Sequence, residues 1–146
     1  MYRYVFKRKQ KSWEISKEKL MLFSENTLGK DLALFLNKNN FKLEPKLEKH
    51  DIYHVLTNYP TTALGEIQLS AFNIGSGKRS LYTVGVAFVG TIIMVDNLTA
   101  IRSAFKKGKK AINYTNWDFE FLLKENTEDL KKLLFNKTNN NIITII

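Results

Sequence analysis

The chain of 146 residues contains no cysteine, only two prolines and only two histidines. Without cysteine, disulfide bonds and thiolate metal sites are excluded, so nitrogen and oxygen atoms would have to hold any metal. No glycine-rich loop of the phosphate-binding kind follows a predicted strand, and no nucleophile stands in a serine or cysteine triad pattern. These absences argue against P-loop proteins and against serine or cysteine hydrolases.

Long apolar runs are also lacking. The longest uncharged run, Ser80 to Val95, lies between Arg79 and Asp96. It is shorter than the roughly 20 residues that a membrane-spanning helix needs, so we predict a buried core helix there. The basic start of the chain is followed by neither an uninterrupted apolar stretch nor a small-residue cleavage site, and no signal peptide is expected.

Positive charge is in excess, with 23 Lys and Arg against 14 Asp and Glu, and the net charge is +9. Such an excess favours acidic partners: phosphates, anionic lipid surfaces or nucleic acid. The basic residues are scattered and no helix-turn-helix or aromatic-basic groove is evident, so no nucleic-acid partner is expected. The densest basic group, which could hold the protein at an anionic leaflet, is Lys106, Lys107, Lys109 and Lys110.

The spacing of apolar residues predicts an all-α protein. Leu28, Leu32, Phe35 and Leu36, for example, are spaced as on one face of a helix. We predict a single domain over residues 1–146, a bundle of about six helices around a long apolar central helix from about Arg79 to Phe105. A kink within this helix, and a role for its first half as the wall of an apolar pocket, are alternatives.

Some parts of this fold prediction carry alternatives. A strand competes with the helix over residues 81–95, because valine and isoleucine are abundant there. The last element is expected between Trp117 and Phe135, with Thr127 as an N-cap within it. Residues 1–11 and 136–146 are expected to be flexible termini.

The two histidines stand in the pattern His50-Asp51-x-x-His54, and eleven residues separate His54 from Glu66. On a helix, positions four apart share a face, and a second helix after the Tyr59-Pro60 turn could bring a carboxylate opposite that face. Two imidazoles with one or two carboxylates can hold a divalent transition metal. These residues are therefore candidate metal ligands.

A buried hydrogen-bond network is the alternative interpretation of the same residues, because a histidine on an apolar helix face is often a bonded core residue. The zincin pattern is excluded, since it needs glutamate directly after the first histidine and this chain has Asp51. An HD-type phosphohydrolase would need further histidines, which the chain lacks.

The stretch from His50 to Gly65-Glu66 resembles the signature of the fourth Coq protein family, which takes part in ubiquinone biosynthesis. A second block, a basic helix from Ala100 to Ala111 and then Trp117-Asp118 with a leucine-rich helix to Leu134, is similar to the C-terminal segment of that family. Together the two blocks cover about residues 43–134.

The resemblance implies an all-α fold and a bound metal, with zinc as the first choice and iron or manganese as alternatives. The metal set that it implies is His50, Asp51, His54 and Glu66. It also implies a prenylated lipid or quinone precursor as ligand, other quinone-biosynthesis proteins as partners, and a peripheral position at a membrane surface. Family members are linked to removal of the ring carboxylate and hydroxylation of that carbon.

Two hypotheses of different classes follow. The first is a metal-dependent decarboxylase or hydroxylase of a prenylated quinone precursor, and the second is a non-catalytic lipid-binding or scaffolding protein for the quinone-biosynthesis enzymes. We expect a cytoplasmic protein, held peripherally at the inner face of a bacterial membrane. An exposed apolar face on the long helix would in addition suggest a homodimer.

Overall fold

A computed structural model describes residues 12–45 and 47–136 of the chain. Within these ranges the chain forms seven α-helices, two short 3-10 turns and no β-strand, which confirms the predicted all-α fold. The predictions for residues 1–11 and 137–146 lie outside the described residues. The helices are α1 (Lys17–Met21), α2 (Leu28–Lys38), α3 (Glu48–Thr57), α4 (Ala63–Gly75), α5 (Leu81–Ile93), α6 (Leu98–Lys110) and α7 (Thr127–Phe135), and the 3-10 turns are Val95–Asn97 and Phe121–Lys124.

Short polar side chains begin most of the helices. The hydroxyl of Thr62 accepts a hydrogen bond from the backbone N–H of Gly65 at 3.2 Å and so caps α4. The cap of α7 differs from the prediction, because Asn126 and not Thr127 accepts the N–H of Asp129. Thr127 is instead the first helical residue of α7, which leaves its hydroxyl free of a capping role.

Helices α4 and α6 pack with their backbones in direct contact. A Cβ atom on Gly108 of α6 would overlap the carbonyl oxygen of Phe72, and one on Gly75 of α4 would overlap the carbonyl oxygen of Phe105. Only glycine lets two helices approach this closely, because it has no side chain. The pair forms the rigid centre against which the site helices lie.

A cluster of buried aromatic rings fills the space between α3, α4 and the segment after α6. Tyr114 lies 4.9 Å from Tyr53 between ring centroids, and its hydroxyl donates to Asn73 Oδ1 at 2.5 Å. Phe72 and Phe119 are fully buried beside it. The packing of these rings fixes α3 against α4, the two helices that carry the candidate site.

The predicted long central helix is not confirmed as one continuous helix. The chain bends by 103° between α5 and the segment from Val95 to Lys110. Met94 leaves the helical conformation, with φ −111° and ψ 46°. The 3-10 turn Val95–Asn97 follows, and α6 begins at Leu98. The polar pair Asp96-Asn97 thus separates two helices, because aspartate and asparagine favour helix ends and turns over helix interiors.

The apolar helix α5 is also exposed where a buried core helix was predicted, so that prediction is wrong. Phe88, Ile92 and Ile93 are 67%, 64% and 73% exposed, and only Thr83 and Gly90 are buried on this helix. Helix α5 packs on α4 through one face, and within the described part of the chain most of its other apolar side chains are exposed. No single helix of the described chain is long and apolar enough to cross a bilayer; only the bent pair of α5 with Val95–Lys110 meets that criterion, by length and composition.

Candidate metal centre

Helices α3 and α4 position the candidate ligands. His50 and His54 lie one turn apart on α3, and Glu66 lies in the first turn of α4. Between the helices, Asn58 adopts the left-handed conformation with φ 60° and donates its N–H to the carbonyl of His54 at 2.8 Å. Asparagine tolerates this conformation better than most residues, so the chain can reverse within five residues.

Glycine at position 65 allows the start of α4 to approach the turn. A Cβ atom on Gly65 would overlap the carbonyl oxygen of Pro60. Since Glu66 follows directly, this close backbone contact sets the position from which its carboxylate reaches α3.

Three side chains converge at one point. Glu66 Oε2 lies 3.1 Å from His50 Nε2, Glu66 Oε1 lies 3.0 Å from His54 Nε2, and the two Nε2 atoms are 3.2 Å apart. In a metal site with bonds of about 2.1 Å, neighbouring ligand atoms lie roughly 3.0 to 3.4 Å apart. The group of His50, His54 and Glu66 could therefore bind a metal ion.

A backbone carbonyl fixes which nitrogen of His54 carries hydrogen. His54 Nδ1 lies 2.8 Å from the carbonyl oxygen of Tyr59, and a carbonyl can only accept, so Nδ1 is the donor. Neutral His54 therefore directs the lone pair of Nε2 at the Glu66 carboxylate, which is itself an acceptor. A proton or a metal cation must lie between them, and a histidine oriented by a carbonyl in this way is typical of metal ligands.

The electrostatics of the group also favour a positive charge at its centre. Burial alone would raise the pKa of Glu66, but hydrogen bonds and charge from His50 and His54 outweigh it and lower the pKa to about 2. Burial would lower the pKa of His54, but hydrogen bonds to Glu66 and the Tyr59 carbonyl, with nearby carboxylates, raise it above its ordinary value. The carboxylate thus stays ionised and attracts a cation.

Asp51 lies outside the converging group, although the sequence places it between the two histidines. It is buried on α3, and burial raises the pKa of its carboxyl to about 6, against the lowering influence of the two imidazoles. That Asp51 is a fourth metal ligand stays a prediction.

The Asp51→Asn substitution tests that role. The pKa of Asp51 is higher in the folded protein than its ordinary 3.8. Ionisation of this carboxyl therefore lowers the free energy of unfolding as the pH rises from 4 to above 6. In metal-free protein we therefore expect Asp51→Asn to be more stable than wild type at pH 8, by about 2 to 3 kcal/mol, and similar near pH 4. Urea denaturation at both pH values measures the difference.

The same variant has a second readout in metal-loaded protein. If Asp51 is a ligand, metal affinity falls on substitution even though the metal-free fold gains stability. Unchanged affinity would remove Asp51 from the ligand set.

The site is accessible from one side. The side chains of His50 and Glu66 are 44% and 35% exposed, whereas that of His54 is 1% exposed and stacks on Phe35 with ring centroids 5.7 Å apart. Together with Phe35, His54 lines a cavity of about 700 Å³ between α2, α3 and α7. His54 is the one candidate ligand on the wall of this cavity, and the exposed edges of His50 and Glu66 would leave coordination positions open, as in catalytic metal sites.

Two comparisons with known proteins identify the family and the fold of this chain. The profile of the family described as coenzyme Q (ubiquinone) biosynthesis protein Coq4 matches residues 44–138, well over half of the chain. The chain is also similar to a candidate ubiquinone biosynthesis protein from Nostoc punctiforme, whose crystal structure was determined at 2.85 Å resolution. The two share 20% identity with a TM-score of 0.70, over 86% of this chain and 70% of that one, which shows a common fold.

Among curated proteins, no sequence matches this chain significantly. The family match includes all four predicted ligands, and it confirms the resemblance predicted for about residues 43–134. The chain belongs to the Coq4 family of coenzyme Q biosynthesis proteins.

Proposed function

We propose that this protein binds one divalent metal ion through His50, His54 and Glu66, supported by Asp51, and acts on a prenylated aromatic precursor of ubiquinone. One observation carries the metal part of the proposal. Two imidazole nitrogens and a carboxylate meet at 3.0 to 3.2 Å, and the Tyr59 carbonyl leaves the lone pair of His54 Nε2 directed into the group. The substrate class comes from membership of the Coq4 family.

Each residue has a defined part in this proposal. A bound metal would supply Lewis acidity toward a carboxylate or phenolate oxygen, and iron or manganese would add redox chemistry that zinc lacks. The backbone carbonyl of Tyr59 accepts the hydrogen bond from His54 Nδ1 and so orients the ring. Phe35 covers the face of that ring. The exposed edge of His50 leaves solvent and substrate a route to the site.

A turnover assay tests the catalytic part. Metal-loaded protein is incubated with a 3-prenyl-4-hydroxybenzoate, and loss of the ring carboxylate is followed by mass spectrometry, with zinc, iron(II) and manganese(II) compared. His54→Ala should abolish turnover while Lys49→Ala, next to the site on the same helix, should retain it. Binding of the precursor without turnover under every metal would favour the alternative, a non-catalytic lipid-binding or scaffolding protein.

The exposed face of α5 supports a peripheral position at a membrane. Its apolar side chains border a groove of about 390 Å³ against α4 and α6, which Phe88, Ile92 and Phe105 line together with Arg102. Exposed apolar surface beside basic residues is typical of proteins that bind anionic bilayers. We infer that α5 inserts at the lipid surface and that the groove accepts part of the prenyl chain.

We expect the double substitution Phe88→Ser with Ile92→Ser to weaken binding to vesicles of phosphatidylglycerol and phosphatidylethanolamine by at least about tenfold, because two apolar side chains lose their transfer into lipid. Phe121→Ser, which replaces a phenylalanine that is 78% exposed outside α5, is the matched control. Sedimentation with vesicles measures both variants.

The same variants distinguish a membrane-binding surface from a homodimer interface. If the α5 face is a homodimer interface, the double substitution changes the sedimentation coefficient in the absence of lipid and leaves vesicle binding unchanged. That result would contradict the membrane proposal.

A further inference from the structure

Two contacts from different parts of the chain orient the imidazole of His54. Its Nδ1–H donates to the carbonyl of Tyr59 at 2.8 Å, in the turn between α3 and α4. The face of its ring stacks on Phe35 of α2. The orientation of His54 therefore depends on how α2 and the turn are held relative to each other.

The side chain of Asn39 joins these two segments. Asn39 follows the last residue of α2, and its amide nitrogen lies 2.8 Å from the carbonyl oxygen of Phe35. Because a carbonyl can only accept, the nitrogen of Asn39 is the donor, and its amide oxygen accepts the hydroxyl of Thr61 at 3.2 Å. One side chain thus bonds both the residue that stacks on His54 and the turn that binds its Nδ1–H.

The turn transmits this connection to the carbonyl of Tyr59. Only Pro60 separates Tyr59 from Thr61, and the ring of a proline fixes φ at about −65°. The carbonyl oxygen of Pro60 packs against Gly65, where a Cβ atom would overlap it. Since Pro60 is restrained on both sides, a shift of Thr61 also moves the Tyr59 carbonyl.

Asn39 and Thr61 are 22 positions apart and both partly buried, so the bond between them is in part shielded from water. Both residues line the same cavity as His54. Asn39 lies before residue 44, the first residue that the family profile matches, so membership of the family assigns it no role.

We propose that Asn39 is a positioning residue of the metal centre: through its bonds to Phe35 and Thr61, it holds His54 with the lone pair of Nε2 directed into the group of ligands. The inference rests on the proposed function, in which Nε2 is a metal ligand. Asn39 acts through Thr61 and the Tyr59 carbonyl, so a change at Thr61 breaks the connection and leaves the end of α2 as it is.

Substitution of Thr61 tests this connection, because valine has the shape of threonine without the hydroxyl. Loss of an outer-shell partner of a metal histidine typically costs about 10- to 100-fold in affinity. Thr61 acts through such a partner, so Thr61→Val should weaken zinc binding by about fivefold to tenfold. Thr61→Ser keeps the hydroxyl and should bind zinc as wild type does. Competition with a chromophoric chelator on the full chain measures the affinity.

A second measurement reports the orientation of His54 in metal-free protein. An imidazole N–H proton is protected from exchange with water while it donates a hydrogen bond, and NMR measures the exchange rate. Thr61→Val should raise the exchange rate of the His54 Nδ1–H by at least about threefold, whereas Thr61→Ser should leave it unchanged.

Thr115→Val is the matched control. Thr115 donates the same kind of hydrogen bond to Asn113 Oδ1, at 2.6 Å, in the segment after α6. Its substitution removes one hydroxyl and one hydrogen bond, yet zinc affinity and exchange at His54 should stay as in wild type. Asn39→Ala combined with Thr61→Val should weaken zinc binding no more than Asn39→Ala alone, because both act through one bond.

The outcomes separate this role from the metal centre itself. Unchanged affinity or unchanged exchange in Thr61→Val would overturn the role of Asn39 while the metal centre stands. Equal losses in Thr61→Val and Thr115→Val would overturn it as well, because general destabilisation would then explain both. If wild type binds neither zinc, iron(II) nor manganese(II), the metal centre and the role of Asn39 are overturned together.

Discussion

Replacement of His54 by alanine is expected to lower the affinity for a divalent metal by at least about a hundredfold. The substitution removes one of three converging ligands, and loss of even an outer-shell partner of a metal histidine typically costs 10- to 100-fold. His50 and Glu66 remain, but two ligands bind a metal ion less tightly than the three whose atoms lie 3.0 to 3.2 Å apart. Competition with a chromophoric chelator on metal-stripped protein measures the affinity.

A second variant separates ligand loss from unfolding. His54 is buried against Phe35, so alanine there also leaves a void and reduces stability. The side chain of His50 is 44% exposed, and His50→Ala should weaken metal binding to a similar degree with little change in the unfolding transition. Lys49→Ala is the control on the same helix. An affinity for either histidine variant within about threefold of wild type would contradict the proposed site.

Substitution of Gly108 by alanine is expected to destabilise the fold by about 3 kcal/mol or more. The new Cβ would overlap the carbonyl oxygen of Phe72, so α4 and α6 would have to move apart. This pair forms the most extensive helix-helix contact in the described part of the chain. Backbone atoms cannot rotate away as a side chain can, and overpacking of this kind typically costs 1 to 3 kcal/mol even where neighbours can adjust. Denaturation by urea, followed by circular dichroism, measures the free energy of unfolding.

Gly85→Ala is the same substitution with the opposite expected sign. A Cβ at Gly85 on α5 has no neighbour within 4 Å, so alanine should add helix propensity at no steric cost and stabilise the protein by about 0.5 to 1 kcal/mol. Equal effects of the two substitutions would show that the packing of α4 on α6 is not as close as described.

The local pattern of the sequence predicted that His50, His54 and Glu66 would lie together, because helical spacing is a local property. His50 and His54 share a face through the i, i+4 rule, and the helix expected after the Tyr59-Pro60 turn, α4, returns Glu66 to that face. The amphipathic spacing of Leu28, Leu32, Phe35 and Leu36 likewise predicted a helix, which the structure has as α2, Leu28–Lys38.

Features that depend on how the helices pack could not be predicted from the sequence. Apolar composition predicted burial of α5, yet burial requires a partner surface, and α4 covers only one face of that helix. The role of Tyr59 could not be found either, because it acts through a backbone carbonyl that any residue carries. Lys131 and Asn58 are 73 positions apart, and no periodicity links them.

Metal content measured on the purified protein tests the central claim most directly. Elemental analysis of wild type, of the double variant His50→Ala with His54→Ala, and of Lys49→Ala is made after growth in supplemented medium. The account predicts about one equivalent of zinc, iron or manganese in wild type and in Lys49→Ala, and its loss in the double variant. Folded wild-type protein that holds no metal after supplementation would contradict the account and leave the four polar residues as a hydrogen-bond network.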